Sequence, residues 1–300
     1  MTIQNNIENK AILVSLSIKK WALSKKSKEA GAILATHYGA KNGAHSGTKH
    51  LLGGKENNSF MDKVEQIRIK AQDCRDYFLE QTLPWANSGE RILLLRNKDK
   101  FDQKMRSLEG EFLKATKEFC KVYPQAKAEA KGHLGKDFSE DDFPQDIASK
   151  YTYELNRSPI TTGKDFRVDL MGEEIKEMSK ALDERNKKLT QEAMKEAFQR
   201  ITKELTPVKD YFDKVNSGNE KARFHPSLIQ NLNNLVEVIP NLNLTDCKEL
   251  KDLAQEVKTE FGDLSKEKIV SMDKKEKEGK SRKLSKSMRK SESIAEAILG

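Results

Sequence analysis

The sequence is short of the features that mark secreted, membrane-spanning or motif-driven proteins. Its 300 residues hold three cysteines, Cys74, Cys120 and Cys247. An odd number with no CxxC pair argues against a disulfide framework and a thiolate zinc site, and points to reduced thiols. The N-terminal apolar run, Ala11 to Ile18, is eight residues long, whereas a membrane helix needs about twenty. Lys19, Lys20, Lys25 and Lys26 follow that run instead of preceding it, the reverse of a signal peptide. The chain is therefore expected to be cytoplasmic, with no membrane partner.

Catalytic signatures are missing too. There is no GxxxxGK[ST], GxGxxG, HExxH or GxSxG. The acids Asp137, Glu140, Asp141 and Asp142 lack the ligand order of an EF-hand and read as helix-capping residues ahead of Pro144. His37, His45 and His50 lie around a Gly-rich loop, but with spacings of eight and five and no cysteine nearby they match no common zinc pattern. His133 and His225 stand alone. No catalytic residue, metal ligand or cofactor is expected.

What the chain does have is charge. Asp, Glu, Lys and Arg make up 34% of it, against 36% hydrophobic and 7% aromatic, where about 25% charged is usual. This balance favours long, solvent-exposed helices over a compact enzyme. The net charge of +8 is uneven: Lys274 to Lys290 carries +7 and Lys19 to His50 carries +6, leaving −5 for the remainder. A localised basic patch says more about polyanion binding than an averaged pI.

Apolar periodicity supplies the architecture. AILVSLSIKKW reads as a strand ending at Trp21, and SKKSKEAGAILATHYG as a short helix stopped by Gly39. Phe60, Val64, Ile67, Ala71, Cys74 and Phe78 follow a 4,3 alternation along one helix, capped by Ser59. The alternation returns at Phe101, Met105, Leu108, Phe112, Ala115, Phe119, Val122 and Ala126, a packing or interface seam. Pro124 is expected to kink or end that helix near Tyr123, with closure at Gly132 or Gly135. YTYEL and DFRVDL predict a hairpin able to pair with the N-terminal strand. Helix resumes at Glu173, with seams over Ile175, Met178, Leu182 and Leu189 and then Met194 to Val215. Two shorter helices are predicted at Ser227 to Ile239 and Asp246 to Phe261.

The fold class is thus α+β and predominantly helical, with long heptad-patterned helices packed as an elongated bundle or coiled-coil hairpin and a small antiparallel sheet. Five regions are expected: an N-terminal strand and basic Gly-rich region (1–58), a long helical hairpin (59–136), an acidic turn and β-hairpin (137–172), a helical region (173–262), and a basic flexible tail with a short terminal helix (263–300).

The basic ends are the candidate functional surfaces. Lys19, Lys20, Lys25 and Lys26 surround Trp21, whose ring could stack on an unpaired base. Lys280, Arg282, Lys283, Lys286, Arg289 and Lys290 lie in the distal stretch, where bases on a flexible segment neutralise phosphates. No helix-turn-helix or finger signature accompanies them, so the expected contact is not sequence-specific.

Several stretches together resemble an uncharacterised family of proteins encoded by phages and mobile elements. They are the strand leading into IKKW, the TLPWANSGERIL turn, the HLGKDFSEDDFP turn and the PITTGKDFRVDL strand, and the likeness runs from residue 11 to 172. It implies a helical accessory protein in a host bacterial cytoplasm, in some members encoded near a ring-forming ATPase, and it carries no activity or site residue. The expectation is a non-enzymatic phage or mobile-element accessory protein that self-associates and contacts nucleic acid through basic ends. The alternative is an assembly protein, or an inhibitor or adaptor docking on host machinery, with no nucleic-acid role. A third reading is an enzyme with a non-local active site.

Overall fold

The computed structural model describes residues 7–41, 43–54, 58–86, 89–163, 172–219 and 222–299. The chain is 68% helical with a small antiparallel sheet, the predicted class. The element order is β1 (Ala11–Lys19), β2 (Ser24–Ser27), α1 (Lys28–His37), β3 (Gly47–His50), α2 (Ser59–Glu80), β4 (Leu83–Pro84), β5 (Arg91–Leu94), α3 (Lys98–Leu134), β6 (Thr152–Ser158), α4 (Gly172–Asn216), α5 (Ser227–Leu242), α6 (Lys248–Phe261), α7 (Lys266–Ser271) and α8 (Lys274–Leu299).

The larger sheet has the order β4-β5-β1-β6. Its central strand β1 is the predicted N-terminal strand, and Ala11, Leu13, Val14 and Ile18 on it are buried. The neighbour on one side is β5, in antiparallel register from Ala11 opposite Leu94 to Val14 opposite Arg91. The RILL of β5 is too short a run to show a period in the sequence. The YTYEL segment lies in β6 beside β1; its expected partner, DFRVDL, falls outside the described residues.

The chain divides into two units, each assembled from separated segments: Met1–Ser15, Leu79–Phe101 and Asn156–Gly300 form the first, Leu16–Phe78 and Asp102–Leu155 the second. In the first unit α4, α5, α6 and α8 enclose the core. The predicted seam Met194, Phe198, Ile201, Leu205, Val208 and Phe212 is fully buried there, with Leu232, Ile239, Leu253 and Phe261 against it. The preceding seam is weaker: Leu189 is buried but Met178 is 68% exposed, and the side chain of Ile175 lies outside the described residues. The carbonyls at and just beyond the end of α2 are covered by two arginines. Arg200 donates to the Glu80 and Thr82 carbonyls at 3.0 and 2.9 Å, and Arg91 donates to the Thr82 carbonyl at 2.8 Å. Burial, and then the neighbouring Arg200, pushes the Arg91 guanidinium down to about 10.

In the second unit the α2 seam of Phe60, Ile67, Ala71, Cys74 and Phe78 is buried as expected. Asn58, not Ser59, caps the helix, its Oδ1 accepting from the Phe60 and Met61 amides at 3.1 Å. Met105, Leu108, Phe112 and Phe119 of α3 are buried, and so is Phe101, the last residue of a first-unit segment, so the seam is satisfied within one chain. Neither proline ends its helix. Pro124 is exposed, while Tyr123, Ala126 and Ala130 keep the other face buried. α3 closes where expected, with Gly135 at φ +53°. α4 likewise runs through Pro207.

The largest departure is at the C-terminus. The stretch expected as a flexible basic tail is α7 and the 26-residue α8. α8 opens on a capping box: the Asp273 carboxylate accepts from the Glu276 amide at 2.7 Å, and the Glu276 carboxylate accepts from the Asp273 amide at 2.8 Å. Leu284, Ser287, Ser291 and Ala295 form its buried face. Serines lower the apolar content that the sequence reading relied on, yet they are small enough for close approach to α4. Their hydroxyls find partners, Ser291 on the Phe198 carbonyl at 2.8 Å and Ser287 on Glu256 at 3.1 Å.

Candidate nucleic-acid interface

Seating α8 on its inward face sorts seven of its nine bases into two groups. Those beside α6 are neutralised. Lys283 sits 2.7 Å from Glu260, Lys290 2.7 Å from Glu256, and Lys280 donates to the Glu260 carbonyl at 2.6 Å while lying over the Phe261 ring. These contacts hold both carboxyls below the usual range, Glu260 chiefly through Lys283 and Glu256 chiefly through Lys290.

The opposite stripe is different. Lys275, Arg282, Lys286 and Arg289 recur at spacings of seven, four and three, which places them on one side of a helix. All four are exposed. Arg282 has a loose contact with Glu278 at 3.7 Å; Lys275, Lys286 and Arg289 have no ion pair among the described residues. The four span roughly 21 Å at 1.5 Å per residue. Half of the expected distal contacts, Arg282, Lys286 and Arg289, are therefore displayed, and the other half, Lys280, Lys283 and Lys290, brace the fold.

The N-terminal candidates separate in the same way. Trp21 is buried, 9% exposed, and packs against Phe119, Tyr123 and Phe143 with ring centres 6.4, 5.6 and 5.9 Å away. It is a core residue: the chain leaves β1 at Lys19 and turns the indole under α3, so no face remains for a base. Lys25 is also structural. It stands opposite Lys49 in the β2–β3 ribbon, a like-charge pair that would weaken the strands were Asp142 not between them, 3.0 Å from Lys25 and 2.8 Å from Lys49. The acids expected to cap a helix serve as counter-ions here: Asp142 bridges two lysines, Asp137 meets Lys49, and Glu140 meets Lys127. Lys19, Lys20 and Lys26 are exposed. Burial, then the nearby Arg75 and Arg68, lowers the Lys20 ammonium, and Arg75 itself donates to the Ile18 carbonyl at 2.9 Å.

No family model, curated protein or solved structure matches this chain. Among the described residues no group of three or more His, Cys, Asp or Glu is placed to hold a metal ion, and no helix is long and apolar enough to cross a membrane. A cleft of about 680 Å³ in the second unit is lined by Leu52, Gly53, Asn58, Gln125, Glu129 and His133. Its polar groups are engaged locally: Asn58 caps α2, Gln125 donates to Glu129, and the His133 ring lies 3.3 Å from the Leu51 carbonyl.

The sequence reading overlooked two features of this surface. One is the stripe itself, hidden because all nine bases were counted as one flexible segment; the Asp273-x-x-Glu276 box was the available signal. The other is Tyr38, which is 67% exposed in the basic region where Trp21 is buried.

Proposed function

We propose that this protein is a non-enzymatic accessory protein that binds nucleic acid through its phosphates, with the outer stripe of α8 as contact surface. The setting is the phage or mobile-element one that the family resemblance implies. The observation that carries this reading is the division of charge on α8. Acids on α6 neutralise one flank, whereas Lys275, Arg282, Lys286 and Arg289 are left facing water on a helix that is held in place. Cations fixed on a packed helix lose less freedom on meeting phosphates than cations on a loose tail.

Replacing all four with glutamine tests the proposal without touching a core side chain. Each phosphate that the variant no longer neutralises should flatten the dependence of log affinity on log salt by about 0.9 for a duplex and 0.7 for a single strand. The expected result is a slope reduced by about three units at an unchanged melting temperature. An unchanged slope, or a wild-type protein with no affinity for nucleic acid in low salt, would overturn the reading.

A further inference from the structure

We propose that the outward face of α1, with Tyr38 and the His37 and His45 rings at its C-terminal end, forms a stacking site for unpaired bases, giving the protein a preference for single-stranded nucleic acid. This rests on the proposed function and adds the form of nucleic acid recognised.

α1 is packed with its small residues inward. A side-chain carbon on Gly31 would lie 3.1 Å from the His45 carbonyl, and one on Gly47 of β3 would fall 2.4 Å from the Ala30 Cβ. Gly31 and Ala35 are buried, Gly31 against β3 and the turn before it. The helix sits so close to β3 that no large side chain fits beneath it, and the large apolar residues point outward. Ile33 is 63% exposed, Leu34 38% and Tyr38 67%. Burial of apolar surface cannot explain a helix that turns Ala and Gly inward and Ile, Leu and Tyr outward.

Rings gather at its C-terminal end. The His37 ring meets Tyr38 edge-on at 5.1 Å, and the His45 ring tilts by 36° against Tyr38 at 5.2 Å. His37 and His45 are exposed as well. The phenol ring is thus steadied by two imidazoles while most of it stays in solvent, the arrangement a base needs in order to stack.

Charge decides the occupant. Lys26, Lys28 and Lys41 are exposed and have no ion pair among the described residues, whereas Lys25 and Lys49 are paired. Glu29 is the one acid between Lys19 and His50. A second copy of this chain would set like charges face to face, over three apolar side chains where a stable interface needs about 800 Å² a side. A nucleic-acid strand supplies phosphates for the lysines and a flat ring for Tyr38. A duplex supplies only the phosphates, because its bases are stacked on one another.

The test compares the full chain with Tyr38→Ala and Tyr38→Phe by fluorescence anisotropy, on labelled oligothymidylate and on a duplex of equal length. Tyr38→Ala should weaken single-strand binding about tenfold, the order of one base–ring stack removed. Tyr38→Phe should stay near wild type, and duplex affinity should not change in either variant. Equal single-strand binding by wild type and Tyr38→Ala overturns the inference while leaving the proposed function intact, provided the α8 glutamine variant still loses salt dependence. Equal losses on single strand and duplex also overturn it, since they assign Tyr38 a role in folding. Tyr38-dependent binding to vesicles of phosphatidylcholine and phosphatidylserine, without single-strand preference, overturns it in favour of a lipid surface.

Discussion

If α8 is a structural helix, shortening its buried Leu284 to Ala will melt the first unit early, although the residue lies in a stretch whose composition is that of a solvated tail. Leu284 is completely buried among α4, α6 and α8 side chains. Leu→Ala at such a site costs about 3 kcal/mol, within a range of roughly 2 to 5. For a unit of this size each kcal/mol moves the midpoint by about 2 to 4 °C, so the melting temperature should fall by about 6 to 12 °C. The measurement is far-UV circular dichroism against temperature on the full chain, with Lys286→Ala as the exposed control. That control should stay within about 0.5 kcal/mol of wild type. All nine bases survive in Leu284→Ala, so its nucleic-acid affinity well below the transition should equal that of the wild type. A shift under about 1 °C would refute the packing argument and return residues 274 to 299 to the status of a tail.

Three further outcomes are expected. Trp21→Ala should cost about 3 to 5 kcal/mol in thermal unfolding and leave the salt slope of nucleic-acid binding untouched; a folded variant with a flattened slope would make the indole a contact after all. Phe112→Ala and Phe119→Ala should each cost a similar amount, and near-wild-type melting of either would mean that the seam is an exposed docking face. The third concerns pH. Burial alone would raise the Asp142 carboxyl, but hydrogen bonds from Lys49 and Lys25 outweigh it and hold it below its ordinary value. A group depressed in the folded state contributes stability above its unfolded value of about 3.9, and loses it as pH falls through the lower folded value. Asp142→Asn should therefore narrow the stability difference between neutral pH and about pH 3; an identical acid-unfolding profile would count against the bridge.

How far the sequence could be read depended on which force built each element. The seams of α2, α3 and α4 were legible because Phe, Leu, Met and Ile at 4,3 spacing report burial directly, and α5 and α6 followed from the same signal. Pro124 misled because a proline breaks a hydrogen bond locally while the buried stripe on the far side holds the helix together. α8 was opaque because Ser287 and Ser291 take two of the four buried positions beside Leu284 and Ala295, so part of its packing is hydrogen bonds and close approach instead of apolar surface. Trp21 was ambiguous for a physical reason: an indole beside two lysines looks the same whether the ring goes into the core or into solvent. Its location was settled by Phe119, Tyr123 and Phe143, which lie about 100 residues away along the chain. The β2–β3 ribbon was hidden in a Gly-rich segment whose counter-ion, Asp142, is equally remote.

The interleaving of the two units carries a consequence for how the chain is made. Because the polypeptide passes between them at 15/16, 78/79, 101/102 and 155/156, no single cut separates the two, and a fragment ending at 155 holds all of the second unit but only the first two segments of the first. On the ribosome, every segment of the second unit has been synthesised once residue 155 emerges, whereas the first must wait for α4 through α8. Its earliest pieces, β1 with the β4–β5 segment, would spend that interval without the helices that cover them, a window in which a nascent-chain binder would recognise hydrophobic strand instead of finished surface.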